Sequence, residues 1–374
     1  MSNIFRFLML FICSFPLFAK TPNKLCVNAQ GEQYTAGDGS KTNPFMICNF
    51  KQFKRFAEEA KRSTLFFKLG VDISFKNRAF PVAGTYNEPF KGGFDGSGYT
   101  FSSITLPLNA DGYIAPFPHV QNGEIENLSI NGVTLSEYST HHVGGLVALA
   151  ENAHIVNVHV NGINIKASNS SGGLVGELVD SLVYNASTKG TLMQQFGTQS
   201  SGGLVGVATR SDIFSCAGHV NLVNKETTST GDVSNIGGLI GLATDSRIRE
   251  VYSDGNIDYS AVLVIPEQVK SIGGLIGYIS NSYLSSAYYA GNIAVENTPT
   301  DKGGAVGASS TSEKSYSHAV FWDKKVSGVK KSAIGKAVTT KQLKTKAFWL
   351  DNGFDTRFWF LQKGSYPKLY VADV

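Results

Sequence analysis

A five-residue glycine signature recurs six times in this chain and constrains its fold more than any other feature. Its copies are GGLVA, GGLVG (twice), GGLIG (twice) and GGAVG, and they begin 28 to 36 residues apart, at Gly144, Gly172, Gly202, Gly237, Gly273 and Gly303. A near-constant spacing of this kind indicates a repeat architecture, in which one short unit is stacked on the next.

Two apolar positions follow each of the first five copies of the signature, the first seven residues after its last residue and the second three residues further on. The first position is filled by Ile155, Val183, Ile213, Ile248 and Leu284, and the second by Val158, Ala186, Cys216, Val251 and Ala287. A unit of about 30 residues cannot bury its own apolar face, so we expect these positions to form inward-facing stacks. Cys216 is therefore predicted to be a buried small hydrophobe rather than a reactive thiol.

The repeats predict an all-β fold, namely a parallel β-solenoid, similar to a β-helix, of about six to seven rungs of ~30 residues. The open ends of a solenoid need covers. At one end Asn49 precedes apolar residues at helical spacing, which predicts an N-terminal capping helix. At the other end an aromatic-rich segment between Phe348 and Leu369 is predicted to cap the last rung, with a sugar-stacking platform as the alternative.

The N-terminus has the pattern of a Sec signal peptide. Residues 7–18 form a short apolar run after Arg6, and Ala19 follows as a small residue before the expected cleavage point. Lipidation at Cys13 is the less favoured alternative because the bulky Ile12 precedes it. No second run is long enough to span a membrane. We therefore expect an extracellular or outer-surface protein, with the periplasm as a further possibility.

Four regions follow from these patterns. They are a signal peptide (1–19), an N-terminal cap with the first strands (20–110), a repeat solenoid (111–320), and a basic insertion with the C-terminal cap (321–374). In an oxidising compartment Cys26 and Cys48 are the natural disulfide pair. Closing that loop would stabilise the fold by roughly 3 kcal/mol.

Polar residues recur at two turn positions of the repeat. One set is Asn152, Asp180, Asp245 and Asn281, with Arg210 as the exception; the other is Asn127, Asn157 and Asn185, replaced later by Ser215, Glu250 and Ser286. Such side chains favour turns and can hydrogen-bond from rung to rung. We interpret both sets as turn chemistry, with a row of metal or sugar ligands as the alternative.

Four common motifs of catalytic, nucleotide-binding and metal sites are absent. The chain has no His-Glu-x-x-His, no Gly-x-Ser-x-Gly, no phosphate loop and no Cys-x-x-Cys, so no cofactor, nucleotide or metal is predicted. One alternative remains open: Asp180, Arg210 and Asp245 could form an acid and base row for polysaccharide cleavage. A metal site at His141, His142, His154 and His159 is a further alternative. His154 and His159, however, are an odd number of residues apart and should therefore face opposite sides of a strand.

The basic charge is concentrated near the C-terminus. Residues 322–346 contain eight lysines and a single acidic residue, whereas the whole chain has a formal net charge of only +4. Lys324, Lys325, Lys330 and Lys331 are the candidate site for an anionic surface such as lipopolysaccharide, acidic polysaccharide or extracellular DNA. A solvated insertion without binding function is the alternative.

The signature, followed by apolar-x-Asn/Ser-apolar and a closing glycine, resembles the GLUG-motif repeat family. The upstream segments GDGS (37–40) and FKGGFDGSG (90–98) and the downstream segment GSYPKL (364–369) are also similar to that family. Tyr99 stands where the family usually has histidine. The resemblance implies a β-solenoid of the kind found in bacterial surface proteins, including adhesin-like proteins and accessory regions of immunoglobulin A peptidases.

The sequence thus favours a non-catalytic, adhesin-like protein. Its expected partners are a surface polysaccharide or another envelope or host surface component, and possible partner proteins of the cell envelope. A secreted polysaccharide-cleaving enzyme and a passive structural subunit remain the alternatives, because the repeat is a scaffold that can carry several functions.

Overall fold

The computed structural model describes residues 20–109, 111–139, 142–167, 169–194, 199–224, 233–260, 269–295, 301–312 and 314–370. The predicted signal peptide lies outside these ranges. The chain forms the predicted parallel β-solenoid, in which each rung contributes strands to three sheets, called here A, B and C. Sheets B and C each contain seven strands, in agreement with the predicted six to seven rungs.

Sheets B and C hold the short strands on either side of the glycine signature. The strands of sheet C are Tyr113–Ile114, His142–Gly144, Ser171–Gly172, Ser200–Gly202, Val233–Gly237, Val269–Gly273 and Asp301–Gly303. The strands of sheet B are Phe117–Gln121, Val147–Glu151, Val175–Val179, Val205–Thr209, Ile240–Thr244, Ile276–Ser280 and Val306–Ser309.

Sheet A is the largest sheet and runs from the N-terminal region to the end of the solenoid. Its strands are Phe45–Ile47, Phe66–Leu69, Ile73–Ser74, Gly93–Asp95, Thr100–Thr105, Glu124–Ser139, His154–Ala167, Leu182–Gln194, Asp212–Val223, Arg247–Ser253, Ile257–Tyr259, Tyr283–Tyr289, Ile293–Val295, Tyr316–Asp323 and Lys336–Val338. Trp359–Phe360 and Lys368–Leu369 form a separate antiparallel pair. The helices are Phe50–Glu59, Thr340–Leu343, Lys346–Asp351 and the 3-10 turn Lys24–Cys26.

The glycine signature recurs because successive rungs approach too closely for a side chain. A Cβ atom on Gly203 would lie 2.2 Å from the carbonyl oxygen of Gly238 on the next rung. On Gly206 it would lie 2.8 Å from the backbone nitrogen of Ser171, across the turn between sheets C and B. These separations are far below van der Waals contact, so only glycine allows the backbone to pack in this way.

The two predicted apolar stacks are confirmed. Their residues pair in register along sheet A, and each is fully buried. Cys216 belongs to the stack, as expected, and burial raises the pKa of its thiol to about 12. The thiol is therefore protonated near neutral pH and contributes as a small apolar side chain.

A line of serines beside the core is a feature that the sequence reasoning missed. Each hydroxyl accepts a hydrogen bond from a backbone N–H of the preceding rung, at 2.9 to 3.2 Å. The serines are Ser181, Ser211, Ser246, Ser282 and Ser315. They satisfy backbone donors at the turn between sheets B and A, where no strand partner is available.

We expect Ser211→Ala to lower the free energy of unfolding by about 2 kcal/mol. The change leaves the buried N–H of Ser181 without its acceptor, which lies 3.1 Å away in the native chain. Denaturant titration followed by circular dichroism measures the effect. Ser317→Ala, at an exposed position, is the control. Equal stability of the two variants would show that the serine line does not stabilise the stack.

The N-terminal end is covered as predicted. Helix Phe50–Glu59 begins at Asn49, whose side chain accepts a hydrogen bond from the Gln52 N–H at 3.0 Å. Phe53 and Phe56 are fully buried against the first strands. The predicted disulfide Cys26–Cys48 is present and joins the N-terminal segment to the residue just before the helix.

The C-terminal end differs from the expectation. The basic insertion itself covers the last rung: Val329 is buried in the main core, and the Ser332 hydroxyl accepts a hydrogen bond from the Val306 N–H at 2.8 Å. The aromatic segment instead packs on the outer side of sheet A, where it covers Tyr252, Tyr288 and Phe321. These three outward-facing rings on successive rungs form an apolar strip, and covering that strip removes it from water.

None of the described helices is long and apolar enough to cross a bilayer; the longest, Phe50–Glu59, has ten residues.

Candidate functional site

The candidate acid and base row lies at a turn that is repeated from rung to rung. Asp180, Arg210 and Asp245 occupy the same turn position on successive rungs, with φ angles of 49°, 48° and 53°. The Arg210 guanidinium donates two hydrogen bonds of 2.7 Å to the Asp180 carboxylate and holds its pKa below its usual value. Asn281 donates to Asp245. A general acid requires a raised pKa, so Asp180 has the opposite character.

The second polar set forms a ladder. Asn127, Asn157 and Asn185 have φ angles of 54° to 56°. Asn157 donates to the side-chain oxygen of Asn127 at 2.9 Å, and Asn185 donates to that of Asn157 at 3.0 Å. The side chains thus hydrogen-bond to one another along the solenoid, and asparagine tolerates the left-handed conformation that the turn requires.

The prediction that His154 and His159 face opposite sides is wrong. Ile155 and Val158 both point into the core, so the histidines flank them on the outer side. The left-handed residue Asn157 breaks the strand alternation and is the physical reason. The described residues contain no group of three or more His, Cys, Asp or Glu side chains that could hold a metal ion; His141 lies outside the described residues.

Two of the candidate lysines, Lys324 and Lys325, lie in a turn that Asp323 organises. The Asp323 carboxylate accepts hydrogen bonds from the backbone N–H groups of Lys325 (2.9 Å) and Val326 (3.1 Å), and from the Tyr366 hydroxyl (2.6 Å). Burial alone would raise the pKa of Asp323, but these hydrogen bonds outweigh it and hold the pKa below its usual value. The turn is therefore anchored by an ionised carboxylate.

The other two candidates, Lys330 and Lys331, lie on the segment that covers the last rung. Its backbone is held by hydrogen bonds from Gly304 N–H to Lys331 O and from Trp322 Nε1 to Val329 O, both 2.9 Å. All four lysine side chains are exposed, and no described carboxylate lies within ion-pair distance of them. We call this set of four the lysine-bearing end; it combines a fixed backbone with free positive charge.

A second candidate site lies near the other end of the solenoid and was missed by the sequence reasoning. It is a cleft of about 370 Å³, called here the His119 cleft. It is lined by Arg62, Tyr86, Asn87, Pro89, Lys91, His119, Gln121, Leu149 and Glu151. The residues come from the first two strands of sheet B, from the turn after helix Phe50–Glu59 and from the loop before strand Gly93–Asp95.

The floor of the His119 cleft is tightly hydrogen-bonded. His119 is only 5% exposed. Its Nδ1 atom lies 2.9 Å from the Tyr86 carbonyl oxygen, which can only accept, so Nδ1 carries the hydrogen. Its Nε2 atom lies 2.8 Å from the Glu151 carboxylate, and Gln121 donates to the same oxygen at 3.2 Å. Glu151 is thereby engaged by two neighbours.

The Tyr86 ring, which lines the cleft, is the first of three stacked rings. The Tyr86 ring lies 4.3 Å from that of Tyr113, which in turn lies 4.9 Å from the His142 ring, and both pairs are within 7° of parallel. Burial raises the pKa of Tyr113 to about 12. The register of the repeats could have shown that the His119 and Glu151 strands are neighbours, but Tyr86 precedes the first repeat and no sequence pattern positions it.

Comparisons with known proteins give partial matches. No protein-family model matches this chain. It is 31% identical over 189 residues to the immunoglobulin A1 protease of Streptococcus sanguinis, a match that covers 47% of this chain and 9% of that protein. It is 25% identical over 158 residues to halomucin of Haloquadratum walsbyi, which covers 38% of this chain and 2% of that protein. The chain thus spans less than a tenth of the length of these relatives.

Two solved structures share the fold. A Bacteroides ovatus protein, provisionally named an immunoglobulin A1 protease, superimposes with a TM-score of 0.53 at 17% identity, over 89% of this chain and 94% of that chain. An IgA1 protease gives a TM-score of 0.57 at 18% identity, over 88% of this chain and 25% of that chain. These likenesses support the β-solenoid fold.

Proposed function

We propose that this chain is a non-catalytic, adhesin-like binding protein of the cell exterior that contacts anionic surface polysaccharide through its lysine-bearing end. The observation that carries the proposal is the set of four exposed lysines on an anchored backbone. Positive charges without intramolecular ion-pair partners attract a polyanion, and the anchored backbone beneath them does not have to be ordered when it binds.

Three features support a location outside the cytoplasm. The signal-peptide pattern predicts export, and the Cys26–Cys48 disulfide is of a kind that persists in oxidising compartments. The similarity to part of an immunoglobulin A1 protease agrees with a module of a large secreted protein. Membership of the GLUG-motif family is part of the same proposal.

Two alternatives differ from this proposal in what they require. An enzyme that cleaves polysaccharide would need an acid and base pair, but Arg210 is paired with Asp180 in the one row that the sequence suggested. The activity in the name of the streptococcal relative belongs to a protein of which the match covers 9%. A passive structural subunit would bind no polymer, and the experiment below distinguishes it.

Replacing Lys324, Lys325, Lys330 and Lys331 by serine is expected to weaken binding to polygalacturonate by roughly 10- to 100-fold at low salt, because four attractive charges are lost. The chain without its predicted signal peptide is titrated against immobilised polygalacturonate, with dextran as the neutral polymer. Binding by the native chain should also weaken as salt is raised.

In the matched control, serine replaces four exposed lysines near the other end of the molecule, namely Lys24, Lys51, Lys54 and Lys76. Net charge falls equally, so unchanged binding in this control assigns the effect to the lysine-bearing end. Equal losses in both variants would contradict a localised site. Shortened polymer products would contradict the non-catalytic assignment, and absence of binding by the native chain would contradict the proposal as a whole.

A further inference from the structure

We propose that the His119 cleft binds a single saccharide unit that carries a carboxylate, such as a uronic acid residue of a polysaccharide. This inference deepens the proposed function, on which it rests for the class of ligand. It concerns a different surface from the lysine-bearing end, and the two can be tested separately.

The size and lining of the cleft suit a sugar ring. Its volume of about 370 Å³ lies within the range of small-ligand sites. Pro89 and Leu149 supply apolar surface, and Asn87 and Gln121 supply amide groups that can both donate and accept hydrogen bonds. A pyranose presents apolar C–H groups and hydroxyl groups around its edge, so it needs this mixture.

The charges in the cleft favour an acidic sugar over a neutral one. The lining contains two cations, Arg62 and Lys91, against the single carboxylate of Glu151. That carboxylate accepts a hydrogen bond from Gln121 at 3.2 Å and lies 2.8 Å from Nε2 of His119. Arg62 has only a loose ion pair with Glu88, at 3.8 Å. Lys91 has no ion pair among the described residues. Arg62 and Lys91 therefore remain available to a carboxylate.

The floor of the cleft is already in place before any ligand binds. His119 is fixed at both ring nitrogens, and the Tyr86 ring is held by its stack on Tyr113. A site whose groups are fixed in advance loses less entropy on binding. Together with the lysine-bearing end at the far side of the repeats, the cleft would give one polymer chain two points of attachment.

The test is an NMR titration of the chain without its signal peptide with D-glucuronate, D-glucose and acetate. We expect saturable shifts of the Gln121 and Asn87 side-chain amides with glucuronate, at least tenfold weaker binding of glucose, and no saturable shifts with acetate. Lys91→Met and Arg62→Ala should each weaken glucuronate binding by about tenfold, equivalent to about 1.4 kcal/mol. Lys91 is half-buried, so its replacement could also disturb folding. Arg62 is exposed, and its replacement tests the cleft without that effect.

Thr244→Ala, at an outer position of sheet B three rungs beyond Glu151, is the matched control and should bind glucuronate as the native chain does. The four-lysine variant should also retain this binding. Glucose or acetate binding as tight as glucuronate would overturn the proposal, and so would shifts that persist unchanged in both Lys91→Met and Arg62→Ala. If glucuronate does not bind but polygalacturonate still binds the lysine-bearing end, the cleft proposal fails and the proposed function stands.

Discussion

Replacing Gly203 by alanine is expected to lower the free energy of unfolding by more than about 4 kcal/mol or to prevent folding, because the added methyl group overlaps backbone that cannot move. The new Cβ atom would lie 2.2 Å from the carbonyl oxygen of Gly238 on the next rung. That carbonyl belongs to the equivalent glycine turn of the next rung, which is packed equally closely against the rung after it. A backbone shift that relieved the overlap at one rung would therefore displace the next rung.

The effect is measured by chemical unfolding followed by far-UV circular dichroism. Gly31→Ala is the control, because the nearest atom to its added Cβ is 3.9 Å away and its backbone is outside the left-handed region. We expect the control to change stability by less than about 0.5 kcal/mol. A Gly203→Ala variant within about 1 kcal/mol of the native chain would show that the rungs can separate, and would remove the steric explanation of the signature.

Replacing Trp349 by alanine is expected to detach the C-terminal segment and leave the solenoid folded. Trp349 is almost fully buried, packs 4.5 Å from Phe354 and 5.3 Å from Tyr288 by ring centroids, and donates its Nε1 hydrogen to the Leu343 carbonyl at 2.6 Å. Loss of a buried tryptophan costs about 3–5 kcal/mol. The segment belongs to a hydrophobic cluster separate from the main core, so the cost is concentrated on its own docking.

Limited proteolysis and amide hydrogen exchange measure this effect. Cleavage between residues 339 and 370 should become fast, whereas exchange of the buried sheet A amides before residue 250 should remain slow. Phe360→Ala, on the same segment but 47% exposed, is the control and should behave as the native chain. Simultaneous loss of protection throughout sheet A would contradict an independent segment and would make the C-terminal region part of one cooperative unit.

Much of the solenoid was predictable because each repeat is constrained by a neighbour of nearly the same sequence. Gly203 and Gly238 occupy equivalent positions, so the steric limit that selects glycine on one rung selects it on the next. The same logic explains why the inward stacks and the buried thiol of Cys216 were predicted correctly. Helix Phe50–Glu59 was predictable for a different reason, since its cap and apolar spacing are local.

The serine line is a repeated feature of the sequence whose role depends on the fold. Ser181, Ser211, Ser246 and Ser282 each follow the polar turn residue directly, so the pattern is present in the sequence. Their role was not evident because serine is usually exposed, and only the structure shows the backbone donors that they satisfy. For His154 and His159 the sequence pattern was misleading. Strand alternation does not hold across the left-handed Asn157, so both histidines lie on the outer side.

The sequence by itself therefore determined the stacked architecture, its register and its inward columns, because those depend on neighbours that repeat. Only the tertiary structure decided which surface the aromatic segment covers, since an apolar segment can bury itself against any exposed apolar strip, and the strip at Tyr252, Tyr288 and Phe321 lies on a side face. The tertiary structure likewise assembled the His119 cleft, because the non-repetitive segment that contains Arg62, Tyr86 and Lys91 has no periodic pattern to fix its position against the first rungs.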